Sequence, residues 1–222
     1  MSINLKQACE QFNLPIPLSI QHLLMLRTFH EKEIILQSGK EIDGLYLLIE
    51  GRYYVTTREV TGKELLLRYC NPLSVLGDIE ILQDCTIQSD CIASSKCTFI
   101  FIPLSVYITY LQMDGTFTKL LLKELAYKLQ TCTISSRVNA LASVEARFAA
   151  YLCTIYSDSS TKDYIFTSNL NEVASLIGTT KRHLNRIIKT WGEQDIITRT
   201  TEGIKIIDFA KLDLYSEDIR YE

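Results

Sequence analysis

The sequence predicts an α+β protein in which a β-rich N-terminal part precedes a long helix and a helical C-terminal part with a β-hairpin. Three observations predict this class. Short β-forming runs alternate with turn residues up to about residue 103, a stretch of 40 residues without glycine or proline follows, and two short helical patterns later flank a glycine. The 222 residues suffice for one large domain or two small ones.

Composition excludes intrinsic disorder and a membrane-spanning segment. Hydrophobic residues make up 47% and charged residues 22% of the chain, as in ordinary globular proteins. The longest apolar runs, such as Phe99–Ile102, fall far short of the roughly 20 residues that cross a bilayer. The first residues lack the basic start and apolar region of a signal peptide, so we expect a cytoplasmic protein without a membrane partner.

Few residues offer catalytic or metal-binding chemistry. The three histidines, at positions 22, 30 and 183, lie far apart, and the seven cysteines form no CxxC motif. The sequence shows no nucleophile–base pair, metal cluster or phosphate-binding glycine loop. We therefore expect no enzyme activity, no metal and no cofactor, and free thiols throughout.

Residues before 104 predict an antiparallel roll, barrel or sandwich. β-forming runs recur at intervals of about 8–12 residues with turn residues between them. The runs are Glu33–Leu36, Leu45–Ile49, Arg52–Thr57, Leu65–Tyr69, Ile87–Ala93 and Thr98–Ile102. Val60–Lys63, between two of these runs, is typical of a hairpin turn.

The stretch Phe117–Tyr156 predicts one long helix. Apolar residues spaced alternately by three and four, as in a coiled-coil seam, are Leu122, Leu125, Leu129 and Cys132. A domain this small cannot cover that stripe, which favours pairing with a second copy of the chain in a homodimer. The alternative is a core helix broken near residues 131–136, where five of six residues are Thr, Cys or Ser.

The segment after residue 158 predicts a helix-turn-helix. Asn169–Glu172 has the form of a capping box at the start of a helix that continues to Ile177. Gly178 supplies the conformational freedom of a tight turn, and Thr179-Thr180 caps a second helix over Lys181–Glu193. Two short helices joined by a glycine-containing turn are typical of this motif.

The second helix has an apolar side and a basic side. Its inward residues are Leu184, Ile187, Ile188 and Trp191. The runs 195–200 and 203–207 predict a β-hairpin wing beside it. From Gly178 to Ile207 six Lys or Arg residues stand against three acids, in a chain whose net charge is −3. The final segment, Asp208–Glu222, carries five acids and two bases, and we expect a solvated, partly frayed tail there.

This local basic patch predicts binding to double-stranded DNA. Bases on the first turns of a helix can enter the major groove and contact guanine edges or phosphates. Threonines at a helix N-terminus can hold a phosphate. The candidate DNA-binding residues are Asn169, Thr179, Thr180, Lys181, Arg182, Asn185, Arg186 and Lys189.

The order of these segments resembles the Crp/Fnr superfamily of bacterial transcription regulators over roughly residues 29–208. The resemblance is carried by the roll segments Ser38–Gly51 and Val75–Leu82, by the long helix, and by Glu172–Arg182. Gly77–Glu80 and Arg182–Leu184 are also similar to a YeiL-like group within the superfamily.

The resemblance implies a three-part fold and a gated DNA-binding function. A cyclic-nucleotide-binding-like β-roll (a jelly roll) would occupy residues 1–113, a dimerization helix and hinge 114–157, and a winged helix-turn-helix 158–222. An effector would gate binding of the homodimer to a palindromic promoter site, with RNA polymerase as a further candidate partner. Lys181, Arg182 and Arg186 would face base edges, whereas Asn169 and Thr180 would touch phosphates.

The sequence departs from the cyclic-AMP receptors of the superfamily. Their Gly-Glu and Arg-Ser pairs appear here as Gly77-Asp78 and Gln88-Ser89, and no Lys or Arg occurs between residues 68 and 96. A buried phosphate would lack its cation, so we expect no tight cyclic-nucleotide binding. The candidate effector-pocket residues are Gly77, Asp78, Ser89, Cys132 and Thr133.

The second helix of the helix-turn-helix also departs from those receptors. Arg182 replaces an acid, so the DNA sequence that this chain recognises should differ from theirs.

The cysteines suggest a second kind of signal. Cys85, Cys91 and Cys97 are spaced six apart, and Cys132 is expected to face the same pocket from the long helix. Oxidation of Cys85, Cys91 or Cys132 could change the packing of roll and helix. The alternative is that these residues are small buried hydrophobes.

An iron–sulfur cluster is not expected. The oxygen-sensing branch of the superfamily holds one with closely spaced N-terminal cysteines, whereas near the N-terminus of this chain there is only Cys9.

Three functional hypotheses remain at this point. The first is a homodimeric transcription regulator gated by an effector or redox signal other than cyclic AMP. The second is a constitutive DNA-binding regulator with an empty, vestigial roll. The third, an enzyme or small-molecule-binding protein without a DNA role, is disfavoured because the sequence offers no catalytic constellation.

Overall fold

The computed structural model describes residues 5–58, 64–158, 170–200 and 203–219 and confirms the predicted α+β class. The described chain divides into two compact units. One comprises the described residues up to Thr57 together with Tyr69–Thr131. The other comprises the described residues of 58–68 and those from Cys132 onward.

The strands over residues 25–103 form a roll of two four-stranded antiparallel sheets. Its strands are β1 (Met25–Phe29), β2 (Ile34–Leu36), β3 (Gly44–Glu50), β4 (Tyr53–Arg58), β5 (Glu64–Cys70), β6 (Val75–Leu76), β7 (Asp90–Ala93) and β8 (Cys97–Pro103). The strand orders are β1-β8-β3-β6 and β2-β7-β4-β5. All six predicted strands are present. Two strands were missed, β1 because it is largely exposed and β6 because two residues show no periodic pattern. The predicted turn at 60–63 lies outside the described residues.

Helices cover one face of the first sheet. They are α1 (Leu5–Gln11), a 3₁₀ helix (Leu18–Leu23), α2 (Asp78–Gln83), α3 (Leu104–Val106) with a π-helical turn (Tyr107–Leu111), and α4 (Gly115–Leu141). Alternate residues of β3 and β8 point toward these helices, so both faces of those strands are buried and their sequences read as continuous apolar runs.

The predicted long helix is present, but it ends at Leu141 and does not continue to Tyr156. The structure contains α4 and a second helix, α5 (Val144–Asp158), and the break falls at Ala142-Ser143 rather than at 131–136. The hydroxyl of Ser143 accepts a hydrogen bond from the backbone N–H of Ala146 at 3.0 Å, which caps the start of α5. A serine at this position therefore ends one helix and starts the next without glycine or proline.

The second unit contains the predicted helix-turn-helix and wing. Its remaining elements are α6 (Leu170–Leu176), α7 (Lys181–Glu193), β9 (Ile197–Arg199), β10 (Ile204–Ile206) and α8 (Phe209–Ser216). The strands β9 and β10 form an antiparallel hairpin, as expected for the wing. None of the described helices combines the length and apolarity that a membrane crossing requires.

The predicted frayed tail is wrong, because α8 is an ordered helix. The carboxylate of Asp208 accepts the backbone N–H of Lys211 at 3.0 Å and caps α8. Leu212 is fully buried, and Tyr215 packs against Trp191 with a ring-centroid separation of 5.2 Å. Of the acids in this segment, Asp208 caps the start of α8, Asp213 is half-buried within it, and Glu217 and Asp218 are exposed just after it.

Candidate DNA interface and effector pocket

The start of α7 is held by the residues predicted to cap it. Thr180 is the N-cap residue, and its hydroxyl accepts the backbone N–H of His183 at 3.3 Å. Gly178 adopts a positive φ of 67°, a conformation that disfavours a side chain. The N–H of Thr179 donates to Ala174 O of α6 at 2.8 Å. The two helices are thus fixed at a tight turn, with Thr180 exposed and Thr179 half-buried.

The inward side of α7 is anchored in an aromatic core. Leu184, Ile187, Ile188 and Trp191 are buried, as predicted. Trp191 stacks on Phe148 of α5, with centroids 5.5 Å apart and an interplanar angle of 9°. Tyr215 of α8 also packs on the Trp191 ring, so two other helices anchor the helix that presents the basic residues.

The outward side of α7 contains two kinds of basic residue. Lys181 and Arg182 are exposed, and neither makes a hydrogen bond or an ion pair with any residue that the structure describes. The guanidinium of Arg186 instead lies 3.0 Å from Nε2 of His183. Nζ of Lys189 is 3.9 Å from a carboxylate oxygen of Glu193. The free cations therefore lie in the first turn, which is the part of a recognition helix that reaches base edges.

The wing contacts α7 through a polar pair. Nη1 of Arg199 in β9 donates to Oδ1 of Asn185 at 3.1 Å, so Asn185 is half-buried and already has a partner. Of the predicted DNA-binding residues, the structure places seven on α7 or the turn before it. Asn169 lies outside the described residues, so its predicted capping and phosphate contacts stay predictions.

The predicted effector pocket contains a buried ion pair. Gly77 precedes α2 with a φ of 89°, and a Cβ there would lie 2.5 Å from Gly44 O, so only glycine fits. Asp78, at the start of α2, is 1% exposed and pairs with the ammonium of Lys128 in α4, which is 5% exposed. Lys128 also donates to Val75 O at 2.8 Å. The second carboxylate oxygen of Asp78 is buried and has no hydrogen-bond partner in the described structure.

Two family models match the chain. A cyclic nucleotide-binding domain matches residues 26–114, and a Crp-like helix-turn-helix domain matches residues 146–215. The chain belongs to the Crp/Fnr family of transcription regulators. Such regulators are not enzymes, in agreement with the sequence-based expectation. The narrower YeiL-like assignment is not confirmed.

Solved Crp/Fnr structures share the fold at low sequence identity. A regulator of this family from Eubacterium rectale is 14% identical, with 91% of this chain and 96% of that chain covered and a TM-score of 0.81. One from Thermus thermophilus is 18% identical, with 87% and 99% covered and a TM-score of 0.72. The c-di-GMP-responsive regulator CLP from Xanthomonas campestris is 16% identical, with 82% and 93% covered and a TM-score of 0.70. No curated protein sequence matches the chain.

Lys128 is the site residue that the sequence analysis missed. No cation was expected for this pocket because residues between 68 and 96 contain none, yet α4 supplies one from a distant part of the chain. The helical spacing of α4 could have indicated this residue. Lys128 lies seven residues after Leu121 on the side of α4 that also buries Phe117, and a lysine on such a stripe indicates a buried acid.

The other predicted pocket residues differ in exposure. Ser89 is half-buried before β7 in the first compact unit, whereas Cys132 and Thr133 are exposed on α4 and belong to the second unit. The pocket of Gly77, Asp78, Ser89, Cys132 and Thr133 therefore stays a prediction.

All seven cysteines are free thiols in this structure. Cys91 is buried in β7, Cys85 is half-buried after α2, and Cys132 is exposed on α4. Burial raises the pKa of Cys97 to about 11, so its unreactive thiol form dominates at neutral pH. Exposure singles out Cys132 as the most accessible of the three redox candidates.

Proposed function

We propose that this chain is a homodimeric DNA-binding transcription regulator that acts in the cytoplasm and reads a palindromic promoter site through α7. The observation that carries the proposal is the first turn of α7, where Lys181 and Arg182 are exposed beside the Thr180 cap and have no described protein partner. Backbone N–H groups and free cations at one helix end suit a phosphate and an adjacent guanine edge.

Dimerization is supported by the exposed stripe of α4. Leu129 is 71% exposed and Leu122 is 60% exposed, although both are large apolar side chains. They follow the predicted seam spacing with Leu125 and Cys132. Covering such a stripe with its own copy is the simplest way to remove it from water, and a two-fold dimer matches the symmetry of a palindrome.

A signal other than cyclic AMP is supported by the Lys128–Asp78 pair. Asp78 is shorter than the glutamate of cyclic-AMP receptors and already has a cationic partner inside the protein. A ribose hydroxyl would have to compete with that pair for the carboxylate. The related fold of Xanthomonas campestris CLP, described as responsive to c-di-GMP, supports the idea that this architecture serves other effectors.

The same pair favours a second candidate, a constitutive regulator whose roll needs no ligand. An ammonium from α4 bound inside the roll links the two elements without any added molecule. The two candidates differ in whether the purified, reduced, ligand-free protein binds DNA fully.

The proposal is tested by selecting binding sites from a random duplex DNA pool with the reduced, ligand-free protein. We expect an inverted repeat whose half-sites are about one helical turn, roughly 34–36 Å, apart. Affinity for that site unchanged by every candidate effector and by oxidation would favour the constitutive regulator. If no duplex is enriched with reduced, oxidised or nucleotide-supplemented protein, the proposed DNA function is wrong.

Arg182→Ala provides the residue-level test. Loss of a bidentate contact to guanine should cost about 1–3 kcal/mol of binding free energy at one base pair and relax specificity there. The matched control is Lys40→Ala, because Lys40 is an equally exposed base of the roll. Fluorescence anisotropy on the selected site and on single-base variants measures both. Equal losses for the two variants would show only a general charge effect.

A further inference from the structure

An acidic cavity lies in the first compact unit. Its volume is about 490 Å³, and it is formed by the loop before β3, by α2 with the turn after it, and by the helical segment 104–112. The residues that matter for its chemistry are Glu41, Ile42, Glu80, Asp84, Tyr107 and Gln112. Its size falls in the range of roughly 300–1,000 Å³ found for small-molecule sites.

The charge of this cavity has one sign. Three carboxylates line it, and its described lining contains no lysine, arginine or histidine. Among the described residues, no group of three or more His, Cys, Asp or Glu side chains could hold a metal ion. The cavity therefore suits an organic cation better than a coordinated metal.

Glu80 is the buried acid of the cavity, and it has no partner. It is only 9% exposed, yet its side chain makes no hydrogen bond or ion pair with any described residue. Asp78, two residues earlier on the same short helix and similarly buried, has the ammonium of Lys128. The carboxylate oxygens of Glu80 are not among the fully buried polar atoms that lack a partner, so they face the cavity and are open to a cation there.

The remaining lining suits an aliphatic chain. Ile42, Leu104 and Ile108 offer apolar surface, and the buried phenol of Tyr107 offers a hydroxyl. Burial raises the pKa of Tyr107, so this group is neutral at physiological pH and can donate or accept one hydrogen bond.

We propose that this cavity binds a small aliphatic amine in its ammonium form, with the ammonium on Glu80 and the methylenes against Ile42 and Leu104. Glu41 and Asp84, both exposed, contribute negative potential at the mouth of the cavity. The proposal concerns the roll alone and does not depend on DNA binding.

Isothermal titration calorimetry of the full reduced chain with 1,4-diaminobutane tests the site. We expect saturable binding by the wild type, a loss of at least tenfold in affinity for Glu80→Gln, and no binding of 1,4-butanediol, which has the same chain length without charge. Glu31→Gln is the matched control, because Glu31 is an exposed acid outside the cavity. Absence of saturable binding, or equal affinity for Glu80→Gln and wild type, overturns the proposal.

A second variant keeps the test decisive if Glu80→Gln does not fold. Ile108 is 54% exposed at the cavity, so Ile108→Lys places a tethered ammonium there without disturbing the core. We expect this variant to lose diamine binding at least tenfold and to melt at a higher temperature than the wild type. Unchanged diamine affinity in Ile108→Lys, or binding of Mg²⁺ that competes with the diamine equally in wild type and Glu80→Gln, shows diffuse surface attraction and contradicts the proposed site.

Discussion

At the scale of the residue, the Lys128–Asp78 pair joins two segments that are fifty residues apart in the chain. The lysine comes from the inward stripe of α4 and the aspartate from the start of α2. Each charge is deeply buried, so each depends on the other to offset its loss of water. The sequence resemblance predicts that Asp78 lines an effector pocket, so the pair affects stability and, under that prediction, ligand choice.

Replacing Lys128 by Met should destabilise the roll strongly. The change leaves Asp78 buried without its cation, which costs about 3–5 kcal/mol of unfolding free energy when one partner of a buried pair is removed. Lys128→Met combined with Asp78→Leu should recover much of that loss, because no unpaired charge remains. Urea unfolding followed by circular dichroism measures both variants. If the double variant is as unstable as the single one, the stability of the roll does not reside in the charge pair.

The outward residues of α7 are predictable from the sequence, whereas the residues that pair around Asp78 are not, for a physical reason. The outward side of α7 follows from the 3.6-residue period of one helix, so Lys181 and Arg182 could be placed from local spacing alone. Lys128 and Glu80 depend on which distant segments meet, and no local period reports that. The burial of these two charged residues could therefore be established only from the structure.

At the scale of the element, helix caps decide where the helices of the second unit begin. Ser143 separates α4 from α5, Thr180 starts α7, and Asp208 starts α8. The Thr180 cap is predictable from the sequence because Gly178 precedes it and a basic helix follows it. Ser143 is not, because it lies within an uninterrupted helical pattern, and Asp208 resembles part of an acidic tail because acids outnumber bases there. A capping residue therefore predicts a helix boundary only when the hydrophobic periodicity on both sides of it is considered as well.

The Asp208 cap predicts a pH dependence confined to α8. Hydrogen bonds from Lys211, chiefly from its backbone N–H, hold the pKa of Asp208 below its usual value. A lowered folded-state pKa stabilises the fold above the unfolded-state value of about 3.9, and this contribution is lost as pH falls through the folded-state value. Asp208→Asn keeps a capping oxygen but cannot titrate, so it is the matched variant.

The melting temperature of the second unit can be followed by the fluorescence of Trp191, the only tryptophan of the chain, which contacts Tyr215 of α8. The wild type should melt above Asp208→Asn near pH 6, and the difference should shrink as the pH drops below about 4. A difference that stays constant between pH 6 and pH 3 would show that the charge of Asp208 does not contribute to the cap.

At the scale of the whole molecule, the monomer leaves part of an apolar stripe on α4 exposed to water. A chain that buries Phe117, Leu121 and Val138 on one side of this helix leaves Leu122 and Leu129 in water on another. The spacing of the stripe alternates between three and four residues, which is the pattern of helices that pair side by side. The sequence predicted this seam, and the exposure of its leucines in the monomer is what a homodimer interface requires before assembly.

Cys132 lies at the end of that stripe and makes the homodimer testable with the native sequence. In a parallel two-fold seam, equivalent positions face each other at distances compatible with a disulfide. Mild oxidation should therefore convert the protein into a covalent dimer on non-reducing gels. Cys132→Ser should stay monomeric on those gels, because Cys132 is the one fully exposed cysteine while Cys85 is half-buried and the others are buried. Leu129→Glu should shift the reduced protein toward monomer in sedimentation velocity, since it places two like charges in the seam. The surface control is Lys119→Glu, an exposed position on the same helix outside the stripe. If Leu129→Glu dimerizes as well as the wild type, or if Cys132→Ser still cross-links, the dimer interface lies elsewhere. The two copies of α7 would then be related by a two-fold axis that does not run along this stripe.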